Sequence, residues 1–184
     1  PYFEVRAIAA RHANLFKLLP LVEDPDETVR SSVATRVPQS VLRRMVNDPH
    51  REVRIRVAQR LAPPSLVLML RDEDYYVRVW VVRRIAPALL PRFVDDPERE
   101  VRLEVAERLS PGALGLLADD QDHSVRRAVA RRAPDRLLEQ LAHDPVWEVR
   151  WEVAQRANKR VCELLKFDPE PEVAFAAIER LKQL

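Results

Sequence analysis

Apolar side chains recur along the chain at a fixed spacing of 24 residues. Each repeat can be counted from an aspartate at position 1; position 6 is then always valine, and position 10 is valine or alanine. The aspartates are Asp24, Asp48, Asp72, Asp96, Asp120, Asp144 and Asp168. The position 6 valines are Val5, Val29, Val53, Val77, Val101, Val125, Val149 and Val173. Because positions 6, 10 and 14 are four residues apart, they predict one apolar stripe of an α-helix in every repeat.

A shorter second element is predicted in each repeat. Proline at position 15 or 16 ends the first helix, and apolar residues follow at positions 19 and 22, as in Leu114 and Leu117. This three-residue spacing favours a 3₁₀-helix, with a short α-helix as the alternative. No segment alternates apolar and polar residues, so no β-sheet is expected. The sequence predicts an all-α solenoid formed by a single array over residues 1–184, with a first unit at 1–23 and later units beginning at each aspartate.

The start of each first helix also has a sequence signal. Asp at position 1 is a good N-cap, and the proline that often follows it fits the first helical position. Acidic residues at position 3 precede Arg at position 7 by four residues, as in Asp26 and Arg30. This spacing predicts ion pairs within the helix.

Composition limits the class of protein. Apolar residues make up 47% of the chain, and 31 Lys and Arg against 29 Asp and Glu give a net charge of +2. No apolar run is long enough to span a membrane. Cys162 is the only cysteine, so neither a disulfide framework nor a cysteine-based metal motif is expected, and we expect a reduced, cytoplasmic setting.

Two arginine series follow the repeat, at positions 7 and 13. Position 7 falls within the apolar face, where a guanidinium requires a partner. One interpretation is an internal ladder that joins neighbouring repeats through Asp at position 1, acidic position 3 or helix-end carbonyls; the other is a groove-lining stripe that binds anions. Position 13 lies in the last turn, where Arg complements the helix dipole and can reach free carbonyls.

Candidate binding residues fall into two sets, because function is expected where the repeats differ. The first is a locally basic patch for nucleic acid, and the second comprises exposed aromatic pairs typical of protein interfaces. The alternative for the aromatics is packing between repeats or against Arg side chains. The candidates are Arg126, Arg127, Arg131, Arg132 and Arg136, with Tyr76, Trp80, Trp147 and Trp151.

Catalysis has little support in the sequence. The four histidines occupy four different repeat positions, so none forms an i,i+4 metal pair with another. Phosphate loops, nucleophile elbows and zinc-protease motifs do not occur. We therefore expect no enzyme activity and no metal site in this chain.

The pattern Asp-Pro-x-x-x-Val-Arg-x-x-Val-Ala-x-Arg, followed by a proline and Leu-x-x-Leu, resembles the leucine-rich repeat variant family. Residues 96–108 show it most completely. The resemblance implies alternating α- and 3₁₀-helices in a right-handed superhelix. It also implies an N-terminal cysteine cluster that carries a [4Fe–4S] centre, but such a centre needs about four thiolates. Since Cys162 stands alone at a core position, that domain is expected upstream of Pro1.

Together these observations predict a non-enzymatic interaction scaffold. An unidentified protein is the expected partner, with a redox-linked or regulatory role if the iron–sulfur domain is attached. The alternative is nucleic-acid binding along an arginine-lined surface of the superhelix. No membrane association is expected.

Overall fold

A computed structural model describes residues 2–184 and contains only helices and their connections in that range. Its contacts divide the chain into two compact units, unit 1 (Pro1–Ala86) and unit 2 (Pro87–Leu184). Each unit repeats one arrangement, a first α-helix followed by a shorter second element, which confirms the predicted all-α repeat. The β-sheet that the sequence argued against is likewise absent from the described residues.

Unit 1 contains six α-helices and three 3₁₀-helices within its described residues. The α-helices are α1 (Phe3–His12), α2 (Leu15–Leu18), α3 (Glu27–Ala34), α4 (Gln39–Leu42), α5 (Arg51–Arg60) and α6 (Tyr75–Arg84). The 3₁₀-helices are η1 (Leu19–Glu23), η2 (Arg43–Met45) and η3 (Pro63–Met69). The first helices α1, α3, α5 and α6 pack side by side, and the short elements form a second layer against them.

Unit 2 continues the same pattern. Its 3₁₀-helices are η4 (Pro87–Phe93) and η5 (Pro111–Leu117). Its α-helices are α7 (Arg99–Arg108), α8 (His123–Arg132), α9 (Asp135–Leu141), α10 (Trp147–Ala154), α11 (Lys159–Leu165) and α12 (Pro171–Leu181). The first helices α7, α8, α10 and α12 pack in sequence, while α9 and α11 lie in the second layer.

The second element is a 3₁₀-helix in some repeats and an α-helix in others, and local composition explains the difference. Proline inside η4 at Pro91 removes a backbone donor, and Gly112 and Gly115 weaken α-helix formation in η5. By contrast, α9 and α11 contain mostly residues that favour helices. Both alternatives left open by the three-residue spacing are therefore realised.

The core lies between the two layers and uses the predicted positions. Val29, Val53 and Val101 at position 6 have no exposed surface, and neither does Leu114 at position 19. Val5 departs from this pattern with 55% exposure, because no described helix packs on that side of α1. Burying one such valine removes enough apolar area to contribute roughly 1.5–3 kcal/mol, so the stack of repeats supplies the main driving force for folding.

The predicted N-cap is wrong by two residues. The first helices begin at position 4, and position 3 has the extended backbone of a cap, as at Asp26. The Asp26 carboxylate accepts hydrogen bonds from the backbone amides of Thr28 and Val29. Asp24 at position 1 instead accepts the backbone N–H of Asp26 at 3.0 Å and closes the turn before the helix. Proline at position 2 consequently lies in this turn rather than in the helix.

This assignment can be tested with Asp26→Ala in α3. Removing the carboxylate leaves two amides of the first turn without their acceptor, so we expect a loss of about 1 kcal/mol in the free energy of unfolding. Glu98→Ala is the matched control, because Glu98 occupies the same cap position but its side chain accepts no cap hydrogen bond. Urea denaturation measures both. Equal losses in the two variants would contradict the assignment.

Candidate functional site

The arginines at position 7 form an internal ladder between consecutive repeats. Arg102 donates through Nε to Oδ2 of Asp120 at 2.7 Å and through Nη2 to Oδ1 at 3.0 Å. Its third nitrogen, Nη1, donates to the backbone carbonyl of Asp96 at 2.8 Å. The same carboxylate pairing occurs at Arg6–Asp24, Arg30–Asp48, Arg54–Asp72, Arg126–Asp144 and Arg150–Asp168. This geometry confirms the ladder interpretation.

The side chains of the ladder are largely buried from solvent. Arg54 and Arg102 are 5% and 4% exposed, so their charges require the partners they have. The hydrogen bond from Arg6 lowers the pKa of Asp24, and the hydrogen bond from Arg150 does the same for Asp168. The predicted pairs within the helix do not form at Arg30, because its guanidinium reaches Asp48 of the next repeat while Asp26 caps the helix.

The arginines at position 13 form a second series that contacts backbone carbonyls. Arg60 donates through Nη1 to the carbonyl of Val37 at 3.1 Å and to that of Ala34. These carbonyls lie at the C-terminal end of the preceding repeat's first helix, where intrahelical donors are lacking. Burial lowers the pKa of Arg60 and of Arg84. Related contacts occur at Arg36, Arg84, Arg132, Arg156 and Arg180.

The five arginines of the predicted basic patch lie in four different environments. Arg126 belongs to the position 7 ladder, and Arg132 donates to the carbonyl of Ala106. Arg127 and Arg131 come together on Oε1 of one carboxylate, Glu152, at 2.8 and 3.0 Å.

The sequence analysis did not predict a role for Glu152, which is buried, with 7% of its surface exposed. The available signal was its place at position 9 of the repeat that follows Arg127 and Arg131. Arg136 is exposed and stands apart from these contacts.

The candidate aromatics lie on two first helices. Tyr76 and Trp147 are 38% and 37% exposed, while Trp80 and Trp151 are half-buried. The Arg83 guanidinium lies 5.1 Å from the centre of the Trp80 ring, a cation–π contact of the kind expected if the aromatics pack against Arg side chains. The indole N–H of Trp80 is buried and has no acceptor in the structure.

The residues present do not fit an iron–sulfur cluster. Cys162 is fully buried in α11, where its thiol contacts the carbonyls of Ala154 and Ala157, and burial raises its pKa. One protonated thiol cannot replace the set of thiolates that a cluster needs. Within residues 2–184, no group of three or more His, Cys, Asp or Glu side chains is arranged to hold a metal ion.

No helix within the described residues combines the length and the apolar character that crossing a bilayer requires.

The repeat geometry is shared with a solved structure described as a leucine-rich repeat variant with a novel repetitive protein structural motif. That protein is 44% identical, superposes with a TM-score of 0.94, and is matched over 98% of this chain and 77% of its own. The chain belongs to the leucine-rich repeat variant family. The family model matches residues 99–122 and 124–146, so this leucine-rich repeat variant protein carries the signature most clearly in unit 2.

More distant solved structures share little with the leucine-rich repeat variant protein. A designed armadillo repeat protein in complex with a (KR)4 peptide is 18% identical, with a TM-score of 0.39 over 92% of this chain and 100% of that one. An engineered protein is 15% identical, with a TM-score of 0.34 over 90% and 94%. No curated protein matches the chain.

The structural role of the ladder can be tested with Arg102→Met. The substitution leaves Asp120 buried without its counter-ion, so we expect a loss of about 3 kcal/mol and a clearly lower melting temperature. Arg99→Met in the same helix is the control, because Arg99 forms only exposed ion pairs. Its melting temperature should change far less. An unchanged melt for Arg102→Met would indicate a surface role instead.

Proposed function

We propose that the repeats are a non-enzymatic scaffold that binds a protein partner through the outer surface of their first helices. The apolar positions fill the core, and the position 7 and 13 arginines join the repeats. The variable positions 4, 5, 8, 9 and 12 remain. The observation that carries the proposal is the exposure of Tyr76 and Trp147 on these helices, because exposed aromatics dominate protein interfaces.

The distribution of charge supports a protein partner on unit 2. Unit 2 holds 16 Lys and Arg against 19 Asp and Glu, a net charge of −3, whereas unit 1 has 15 against 10, a net charge of +5. Glutamates recur at positions 5, 9 and 12 of the first helices in unit 2. They are Glu100, Glu104, Glu107, Glu148, Glu172 and Glu179, with Glu152 buried and paired with Arg127 and Arg131. Such a surface repels phosphate, and it leaves Trp147 and Trp151 in surroundings suited to a protein.

Attachment to an upstream [4Fe–4S] domain stays a prediction from the family, and so does a redox-linked or regulatory partner. A cytoplasmic location also stays a prediction. The sequence that precedes Pro1 tests the first of these, because four or more closely spaced cysteines there would provide the thiolates that this chain lacks.

The protein-binding surface can be tested with the double variant Trp147→Ser and Trp151→Ser. The immobilised protein should capture its partner at least about tenfold less well, because loss of a central aromatic pair removes an interface hot spot. Phe167→Ser is the control, since Phe167 is 79% exposed but lies in the turn after α11. Circular dichroism measures helicity in parallel. Lost helicity would make the tryptophans structural, and unchanged capture would exclude this surface.

Nucleic-acid binding is the second candidate, and the net charge of unit 1 is the observation that favours it. Exposed Arg51 and Arg56 on α5 offer cations there, although Arg51 also pairs with Glu52 and Asp74. The position 7 arginines are paired with carboxylates, and the position 13 arginines donate to backbone carbonyls. Few arginines are therefore left to bind phosphate.

We therefore expect no salt-dependent retention of single- or double-stranded nucleic acid between about 50 and 200 mM salt in a mobility-shift titration. Retention that falls steeply with salt would contradict this expectation. Charge reversal at Arg51 and Arg56 would then show whether unit 1 is responsible, with Arg160→Glu in unit 2 as the control.

A further inference from the structure

Two arginines of α8 share one buried carboxylate of α10. Arg127 and Arg131 are one helical turn apart, and each donates through Nε to Oε1 of Glu152, at 2.8 and 3.0 Å. The Glu152 side chain is 10% exposed, whereas those of Arg127 and Arg131 are 37% and 49% exposed. The carboxylate therefore lies beneath two guanidinium groups that remain partly open to solvent.

The repeat framework does not require this cluster. Two like charges four residues apart on a helix repel one another, and burying a carboxylate costs desolvation energy. Position 9, which Glu152 occupies, is alanine in the first helices on either side, at Ala128 and Ala176. With alanine at that position, α8 still packs on α7 and α12 on α10. Stacking of the repeats therefore does not account for the presence of Glu152.

The two arginines keep hydrogen-bond donors that the chain does not use. A guanidinium carries five N–H donors, and most of them belong to its two Nη atoms. Within residues 2–184, Glu152 is the acceptor for Arg127 and Arg131, and it takes only their Nε donors. Because one carboxylate holds both side chains, their Nη groups are kept near one another. The cluster thus presents a preformed set of donors to an acceptor from outside the chain.

The charge of the cluster selects the kind of acceptor. Two guanidinium groups and one carboxylate leave a net charge of +1, which one further carboxylate balances and a phosphate or sulfate dianion exceeds. Glu107 on α7 and Glu148 on α10 add negative charge on the two flanking helices. Both features favour a monoanion over a dianion.

Trp151 adjoins the cluster. It directly precedes Glu152, and it holds position 8 of α10 as Arg127 holds position 8 of α8. Tryptophan and arginine are among the residue types most enriched at the centres of protein interfaces. A protein segment that lies on the tryptophan can therefore place an acidic side chain on the arginines.

We propose that Arg127 and Arg131 bind one side-chain carboxylate, from an aspartate or glutamate of a protein partner, and that Glu152 holds their guanidinium groups together and limits the site to a monoanion. This inference rests on the proposed protein-binding function and adds the chemistry of the partner at the surface that Trp147 and Trp151 form. Glu152 is a positioning residue in this arrangement, since the partner's carboxylate contacts the arginines.

The site can be tested without the partner, by recording the arginine Nε–H signals of the ¹⁵N-labelled 184-residue chain. The probe is N-acetylglutamic acid α-amide, whose only charge at about pH 6 is an ionised side-chain carboxylate. We expect the signals of Arg127 and Arg131 to shift in a saturable way, with a dissociation constant on the order of 10 mM. Arg136, a single exposed arginine of the same repeat, is the internal control and should respond far less.

The neutral compound N-acetylglutamine amide should leave all of these signals in place. Absent shifts, equal shifts at Arg136, or equal shifts with the neutral compound would overturn the proposal. Sulfate that binds the unaltered chain more tightly than the glutamate compound would overturn it as well, because the site would then prefer a dianion.

Arg131→Gln tests whether the two arginines act together. With the Arg127 signal as the readout, the variant should bind the glutamate compound about tenfold more weakly, because one of two charged donor groups is lost. Arg136→Gln is the matched control, because it removes an exposed arginine of the same repeat outside the cluster. Equal affinities in the two variants would show that Arg131 is not part of the site.

Glu152→Ala separates the role of Glu152 at the site from a purely structural one. The variant raises the charge of the cluster, so the affinity for sulfate should rise about three- to tenfold relative to the affinity for the glutamate compound. Glu172→Ala on α12 is the control, because it removes the same charge from an exposed residue outside the cluster. An unchanged ratio in Glu152→Ala would overturn the role of Glu152. Should that variant not fold, the comparison of sulfate with the glutamate compound on the unaltered chain still decides the preference for a monoanion.

The carboxylate site and the protein-binding surface fail separately. Loss of partner capture in the Trp147 and Trp151 double variant, without a response of Arg127 and Arg131 to the glutamate compound, would leave the protein-binding function in place and overturn the carboxylate site. A saturable response of both arginines supports the site whatever the tryptophan variant shows.

Discussion

The structure depends on the ion pair between Arg at position 7 and Asp at position 1 of the next repeat. Arg102 shows what one side chain accomplishes, since it binds the Asp120 carboxylate with two nitrogens and the Asp96 carbonyl with a third. The aspartate in turn accepts the backbone N–H two residues later, as Asp120 does from Asp122. One buried pair therefore joins two repeats and shapes the turn before each first helix.

This pairing fixes the spacing of the repeats more strictly than apolar burial could. Apolar contacts tolerate small shifts and substitutions of similar volume. A buried guanidinium does not tolerate such shifts. Its aspartate lies 18 residues after the arginine, and an insertion between them would separate the pair and leave two uncompensated charges. The absence of insertions from residue 24 to residue 168 is consistent with this constraint. The position 13 arginines act similarly on the carbonyl ends of the helices.

Assigning the regular arginines to the framework changes where function is sought. A repeat protein with an arginine in every unit suggests a phosphate-binding surface, yet nearly every regular arginine here has a partner in its own chain. What remains is irregular, namely Tyr76 on α6 and Trp147 and Trp151 on α10. These are positions where the repeats differ, and their residues are not explained by the repeat framework.

The sequence by itself determined the repeat length, the core positions and the all-α class, because helix periodicity is local and is displayed eight times over. It also placed Arg at position 7 on a face where it needs a partner. Only the tertiary structure decided which partner, since Asp26 and Asp48 were equally plausible for Arg30 until the repeats were stacked. The same holds for the basic patch, where Glu152 comes from the following repeat. Contacts between repeats join residues about 18 to 26 positions apart, and no local pattern in the chain encodes which of them meet.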